Sequence, residues 1–313
     1  MTESSLKLRA IVPTLNAAAE WEGFASALLA CVPAEQVLIV DSASTDDTVE
    51  LARAAGFQVH SIAPAEFNHG GTRQLAAEMF PDAAILVYLT QDAVLAQPDA
   101  LKRLLAAFED PLVAAAYGRQ LPRKDATPIE AHARLFNYPA ESAVRTLASR
   151  EQIGVKAIFI SNSFAAYRRE VLMSVGGFSD NVIFGEDTIT AAKLLLGNWK
   201  IAYVADAQVY HSHRYMWSQD FKRYFDIGVL HVRESWLLDE FGQTGGEGFR
   251  FVRSELCYLW RQRWWLIPSA LVRTALKLFG YRLGKMERRL SPASKRRLSM
   301  HRGYWKIGEC GSR

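Results

Sequence analysis

Four short apolar runs punctuate the first ninety residues, 8–14 (LRAIVPT), 36–41 (QVLIVD), 57–62 (FQVHSI) and 84–90 (AILVYLT). Between and after them lie stretches of helical periodicity at 19–30, 45–55, 71–79 and 99–108. Runs of this length with β-branched residues read as strands buried in a sheet. Strands that alternate with helices require crossover connections, so the pattern predicts an α/β fold, a mainly parallel, Rossmann-like sheet with helices on both faces. Ligands of such sheets bind at the carboxyl ends of the strands, and Thr14, Asp41 and Asp92 fall there. Ser44 or Thr45 is placed to cap the second helix, with Asp46 and Asp47 in its first turn.

Beyond Gly118 the pattern is mixed. A polar helix is expected over 127–149, a strand over 157–160 followed by Ser161-Asn162-Ser163, and a helix ended by Gly176-Gly177-Phe178. A further helix opens near Glu186 and runs to Leu196, and a strand over 201–204 leads into Tyr210-His211-Ser212-His213. From Trp217 the chain reads as helical, which puts a change of pattern near Tyr215 and divides the chain into 1–215 and a C-terminal helical region, 216–313. With 313 residues, half of them hydrophobic, the chain has enough apolar surface for one large core or a core and a smaller lobe.

The net charge of +4 conceals a division. Residues 261–313 hold 14 lysines and arginines against two acids, while 1–260 hold 23 against 31. Aromatic and aliphatic residues interleave with the C-terminal cations, a mixture suited either to an anionic membrane surface or to a basic helix pair packed on its own core. A spanning helix is not expected, because Pro268, Arg273 and Lys277 interrupt the longest apolar stretch. Neither zinc-finger spacing nor an RNP motif accompanies the basic region, so nucleic acid is not an expected partner. Cys31, Cys257 and Cys310 show no CxxC pattern, and the N-terminus lacks a secretory pattern, which points to the cytoplasm.

The first strand ends in Pro13-Thr14-Leu15-Asn16 instead of a glycine-rich fingerprint, and there is no P-loop. Asp41, closing an apolar strand, is able to accept hydrogen bonds from a base N–H or a ribose hydroxyl, or else serves turn chemistry with Ser42 and Ser44. His211 and His213 share a face if their segment is extended. Glu186 and Asp187, adjacent on a helix, diverge by about 100°, so one of them faces a cleft. His69-Gly70-Gly71 reads as a flexible loop before a helix that carries Arg73.

Taken in order, Pro13-Thr14-Leu15-Asn16, Val40-Asp41-Ser42-Ala43-Ser44-Thr45-Asp46-Asp47-Thr48, Gln91-Asp92 and Gly185-Glu186-Asp187 resemble family 2 glycosyltransferases of the GT-A fold. Phe67-Asn68-His69-Gly70-Gly71-Thr72-Arg73, Thr90-Gln91-Asp92-Ala93 and Val209-Tyr210-His211-Ser212-His213 resemble more narrowly the rhamnosyltransferases of that family. The resemblance covers about the first 215 residues. It implies a nucleotide-sugar donor, dTDP-L-rhamnose in first place, inversion at the anomeric carbon, and a saccharide or lipid-linked saccharide acceptor in surface glycan synthesis.

Carried onto this sequence, Thr14, Asn16, Asp41, Ser44, His69, Arg73 and Gln91 are the implied nucleotide-sugar contacts, and Asp92 is the last carboxylate of a metal motif. Thr90 stands where that motif has its first Asp, so Mg²⁺ or Mn²⁺ would need further ligands such as His211, His213 and donor phosphate. Asp187 is the implied catalytic base, with Glu186 in support. A UDP-hexose donor on the same fold, and a non-catalytic glycan-binding domain, remain as alternatives. The implied location is the cytoplasm, peripheral on the inner face of the plasma membrane.

Overall fold

The computed structural model describes residues 7–242 and 245–307; Cys310 lies outside them. Among the described residues nine strands form one sheet: β1 (Leu8–Thr14), β2 (Val37–Asp41), β3 (Gln58–Ser61), β4 (Ile85–Leu89), β5 (Val94–Leu95), β6 (Val113–Leu121), β7 (Ala143–Arg145), β8 (Phe164–Arg168) and β9 (Lys200–Tyr210). Their order is β3-β2-β1-β4-β8-β6-β9-β5, with β7 pairing β9 on the side. Strands β3, β2, β1 and β4 run parallel, as the strand-helix alternation requires. The second half is mixed: β8 lies antiparallel to both neighbours, and β6 and β9 are parallel.

Alternate residues of the buried strands feed two apolar layers. Ile11, Leu38, Leu86 and Tyr88 point into one, while Ala10, Val12, Ile39 and Val87 point into the other. The helices that cover these layers in the first half are α1 (Trp21–Leu29), α2 (Thr48–Ala54), α3 (His69–Met79) and α4 (Ala100–Ala106). The later ones are α5 (Pro128–Asn137), α6 (Arg150–Ile153), α7 (Arg169–Ser174) and α8 (Glu186–Leu196). The C-terminal region is helical through α9 (Trp217–Arg233), α10 (Trp236–Phe241), α11 (Glu247–Gln262), α12 (Ile267–Lys285), α13 (Pro292–Leu298) and α14 (Tyr304–Ile307). Phe225, Val229, Leu237 and Phe241 join the same apolar layer as Ile11 and Tyr88.

Helices α9 and α12 meet almost backbone to backbone. A Cβ at Gly284 would lie 2.0 Å from the Phe225 carbonyl oxygen, and one at Gly280 would lie 2.3 Å from that of Phe221. Where α12 does carry side chains on this face, Arg273 and Lys277 turn inward to the buried Asp220, and Arg273 Nη1 also donates to the Tyr215 carbonyl at 2.9 Å. Among the described residues no helix is long and apolar enough to cross a membrane.

Several local expectations are corrected. The apolar run 157–160 is not a strand, because residues Gly154–Ile158 form a 3₁₀ turn and the strand follows at β8. The polar helix expected over 127–149 stops at Asn137; Pro139 follows, and the chain turns into the short edge strand β7. Neither Ser44 nor Thr45 caps α2, which starts at Thr48 with Asp46 accepting the Thr48 N–H. His69-Gly70-Gly71 is the first turn of α3, capped by Asn68, and a Cβ at Gly70 would lie 1.7 Å from the Ser179 carbonyl oxygen. Glycine there serves packing rather than loop flexibility.

Candidate active site

The short β5 strand explains one cluster. It pairs antiparallel with the end of β9, Val94 opposite Tyr210, so Asp92 just before β5 meets the residues just after β9. His211 Nε2 lies 3.3 Å and His213 Nδ1 3.6 Å from Asp92 Oδ2. Among the described residues these three form the His/Cys/Asp/Glu group able to hold a metal ion, with one ligand atom from each lying within 4.8 Å of the others.

His211 is buried, and its Nδ1 lies 2.8 Å from Gln120 Oε1. That oxygen also accepts from Arg134 Nη1 at 2.8 Å, and a guanidinium has only donors, so the amide orientation is fixed and His211 Nδ1 must donate. Nε2 is therefore the nitrogen turned to Asp92 and, when deprotonated, the one with a lone pair for a cation. Burial pushes the Asp92 carboxyl upward, but the hydrogen bond and positive charge available from His211 outweigh it and hold Asp92 well below the usual carboxylate range. Burial, then His211, pushes His213 down to about 4. Near neutral pH an ionised Asp92 thus faces a neutral His213, protonation states suited to metal ligation. One carboxylate and two imidazoles form a mixed oxygen and nitrogen set that fits Mn²⁺ or a similar divalent ion, with oxygen ligands completing the shell.

The second cluster sits where α8 begins. Glu186 and Asp187 diverge on the first turn: Glu186 is buried, and Asp187 is partly exposed. Glu186 Oε1 pairs with Arg73 Nη1 at 2.9 Å and accepts from Asn162 Nδ2 at 3.2 Å, while Asn162 Oδ1 accepts from Tyr167 at 2.8 Å. Asp187 accepts from the backbone N–H groups of Thr188 at 2.7 Å and Asn162 at 3.3 Å. Burial raises the Asp187 carboxyl, the adjacent Glu186 charge raises it further, and Arg73 only partly opposes them, so it titrates at about 7. Arg73 is thereby accounted for differently from the sequence reading, since its buried guanidinium faces Glu186 and the His69 carbonyl. His69 itself turns to His301, with Nε2 and Nδ1 3.3 Å apart, and His301 stacks on Phe184.

At the carboxyl ends of β1 and β2, Thr14 and Asp41 are buried and bonded to each other at 3.3 Å, and Asp41 Oδ2 accepts the Ser44 N–H at 2.9 Å. Asn16 donates its N–H to Ser44 Oγ and accepts the Thr45 N–H, both at 2.8 Å. Gln91 clamps the Leu15 backbone through both of its amide atoms. Both Asp41 oxygens thus serve the loop. The groove beside them, about 460 Å³, is lined by Asp41, Ala43, Ser44, Thr45, Asp46 and neighbouring residues. A larger groove of about 690 Å³ beside α3 and residues 176–182 contains neither carboxylate cluster.

Sequence reasoning missed Gln120, Arg134, Tyr167 and His301. Gln120 acts through His211, 91 positions away, and His301 reaches His69 across 232 positions, while Arg134 and Tyr167 act through the nearer Gln120 and Asn162. No local pattern marks them.

Residues 7–225 match the family described as glycosyltransferase like family 2. The chain is 44% identical over 302 residues to the O-antigen chain rhamnosyltransferase RfbN of Salmonella typhimurium, covering 96% of each. It is likewise 44% identical to the O-antigen chain rhamnosyltransferase WbaN of Salmonella anatum, covering 94% of each. In fold it is similar to the mannosyltransferase PcManGT from Pyrobaculum calidifontis in complex with GDP-Man and Mn²⁺, at TM-score 0.56 and 19% identity, covering 97% of this chain and 86% of that one. It is also similar to TarS of S. aureus in complex with UDP-GlcNAc, at TM-score 0.53 and 15% identity, covering 90% and 91%.

Proposed function

From the premise that this chain belongs to glycosyltransferase-like family 2 and is a glycosyltransferase of GT-A fold, we propose that it transfers L-rhamnose from dTDP-L-rhamnose, with inversion, to a saccharide or lipid-linked saccharide of the O-antigen type. The donor sugar and the acceptor class rest on the two Salmonella relatives. The mechanism rests on one observation above the others: Asp187, partly exposed at the start of α8, titrates near neutrality, where a general base works best.

In the proposed reaction an acceptor hydroxyl oxygen attacks the anomeric carbon, and its proton passes to the Asp187 carboxylate. The bond from that carbon to the diphosphate oxygen breaks, and its electron pair leaves with dTDP. Asn162 and Thr188 hold the Asp187 carboxylate through backbone N–H groups, and Glu186, fixed by Arg73, keeps its proton affinity high. Asp92, His211 and His213 are the residues that would hold Mg²⁺ or Mn²⁺. When bound, the ion supplies positive charge for the departing diphosphate. Ser44, Thr45 and the Asp41 loop are the proposed nucleotide contacts, with Asn16 and Gln91 shaping that loop. The proposed location is the cytoplasm, at the inner face of the plasma membrane, where a nucleotide-sugar donor and a lipid-linked acceptor would meet.

The test is a transfer assay on purified protein with dTDP-L-rhamnose, UDP-glucose and a synthetic O-antigen fragment, with and without Mn²⁺. Rhamnose transfer giving the inverted anomer by NMR is expected. Turnover with UDP-glucose alone would reassign the donor, and binding of the O-antigen fragment with neither transfer nor donor hydrolysis would favour a glycan-binding domain.

A further inference from the structure

The outer face of α12 has the wrong polarity for a helix surrounded by water. Its exposed positions follow a helical stripe, Pro268, Leu271, Val272, Ala275, Leu278 and Phe279, with Phe279 60% exposed. Its two mid-helix cations, Arg273 and Lys277, face the protein interior. Trp264 and Trp265 precede the stripe and are 62% and 57% exposed, and Trp260 at the end of α11 is 72% exposed. Exposed aromatic and aliphatic residues in such continuity mark an interaction surface.

The charges around the stripe identify the partner. No Asp or Glu occurs between Glu255 and Glu287. Four exposed cations bracket the stripe, Arg261 and Arg263 at one end, Arg282 and Lys285 at the other. Residues 264–282 along this line span about 27 Å at 1.5 Å per residue. An apolar band with cations at both ends and tryptophans at the border suits a helix lying flat in the headgroup region of an anionic bilayer. A second copy fits poorly: pairing α12 with itself about a two-fold axis sets Arg261 and Arg263 against Arg282 and Lys285, cation against cation.

We infer that this face of α12, together with Trp264 and Trp265, is the surface through which the protein docks on an anionic lipid bilayer. The inference deepens the proposed site of action at a membrane, but its observable is binding and needs neither donor nor acceptor. Binding is held by insertion of Leu278, Phe279 and the tryptophans and strengthened by the four cations.

The experiment is sedimentation of the full-length protein with vesicles of phosphatidylcholine alone or mixed with phosphatidylglycerol, alongside sedimentation velocity without lipid. Binding to the anionic vesicles is expected at about 0.1 M salt and should fall at about 1 M, where the Debye length is about 3 Å. Arg282→Gln with Lys285→Gln should weaken partitioning about thirtyfold, roughly fivefold per cation. Leu278→Gln with Phe279→Gln, or independently Trp264→Ser with Trp265→Ser, should weaken it while leaving turnover on a soluble acceptor unchanged. Vesicle binding that is absent, or indifferent to all three double variants, overturns the inference. A dimer that dissolves in the Leu278→Gln, Phe279→Gln protein would do the same and reassign the face to self-association. Loss of transferase activity with vesicle binding intact would count against the catalytic reading alone.

Discussion

Replacing Asp187 by Asn should make the protein inactive and more stable. The carboxyl titrates at about 7 instead of its ordinary 3.8, a rise of about three units, so holding it ionised in the fold costs about 4 kcal/mol at 1.36 kcal/mol per unit. Asn carries no charge and escapes that cost. It has one acceptor oxygen where the carboxylate has two, so one of the bonds from Thr188 and Asn162 is lost, at about 1 kcal/mol. The net gain is about 3 kcal/mol at pH 8, or about 5–10 °C in Tm for a chain of this size. Its pH dependence is the sharper test. A carboxyl with a raised folded-state pKa binds its proton more tightly folded than unfolded, so the wild type loses stability as pH rises from about 4 through about 7. The advantage of the Asn variant should be complete above pH 8 and vanish below pH 4. Differential scanning calorimetry of both proteins from pH 4 to 9, paired with turnover, reads this directly. Turnover should drop roughly 10²–10⁴-fold. A variant less stable than the wild type at pH 8, or a difference flat across the range, would mean that Asp187 is not held ionised against its surroundings.

Arg73→Met should destabilise the fold by about 3–5 kcal/mol by leaving Glu186 buried and unpaired; a stable variant that had lost only donor affinity would return Arg73 to the nucleotide. Gln120→Leu should raise the Mn²⁺ concentration needed for half-maximal binding by about 10–100-fold, because His211 loses the partner that orients it. Isothermal titration with Mn²⁺ alone checks this, and unchanged affinity would remove Gln120 from the site. Asp92→Asn should abolish Mn²⁺ binding, and His211→Ala should weaken it more than His213→Ala, since His211 is buried and oriented on both sides; the reverse ranking would exchange their roles.

What could be read from the sequence follows from how local the determining physics is. Strands β1, β2 and β4 are buried apolar runs separated by helices, and their pattern alone points to a parallel sheet, with the more polar β3 at its edge. Residues 157–160 are as apolar, yet Ala157 and Ile158 end a 3₁₀ turn, and the strand comes later, at β8. A short apolar run does not say which of these it is. The site divides similarly. Asp92, His211 and His213 stand in recognisable motifs, and the pairing of β5 with β9 brings them together. Arg73 and Glu186 were each singled out, but their pairing joins α3 to α8 across 113 positions, and nothing in either segment announces the other. For Asp41 the sequence leaves both a nucleotide contact and turn chemistry open, and the fold engages both of its oxygens with Thr14 and Ser44.

The glycine contacts between α9 and α12 set a height. Helices separated by side chains can rock as rotamers change, but Gly280 and Gly284 rest on the carbonyls of Phe221 and Phe225 with no such cushion. Arg273, in the same helix, grips the Tyr215 carbonyl two residues beyond His213. The outer stripe of α12 is therefore tied, with no side chains between, to α9 and through Arg273 to the segment that follows His211 and His213, and these contacts set the length between the catalytic cleft and whatever the stripe rests on. A methyl group at Gly284 would act as a shim, tilting that length without touching a single catalytic atom.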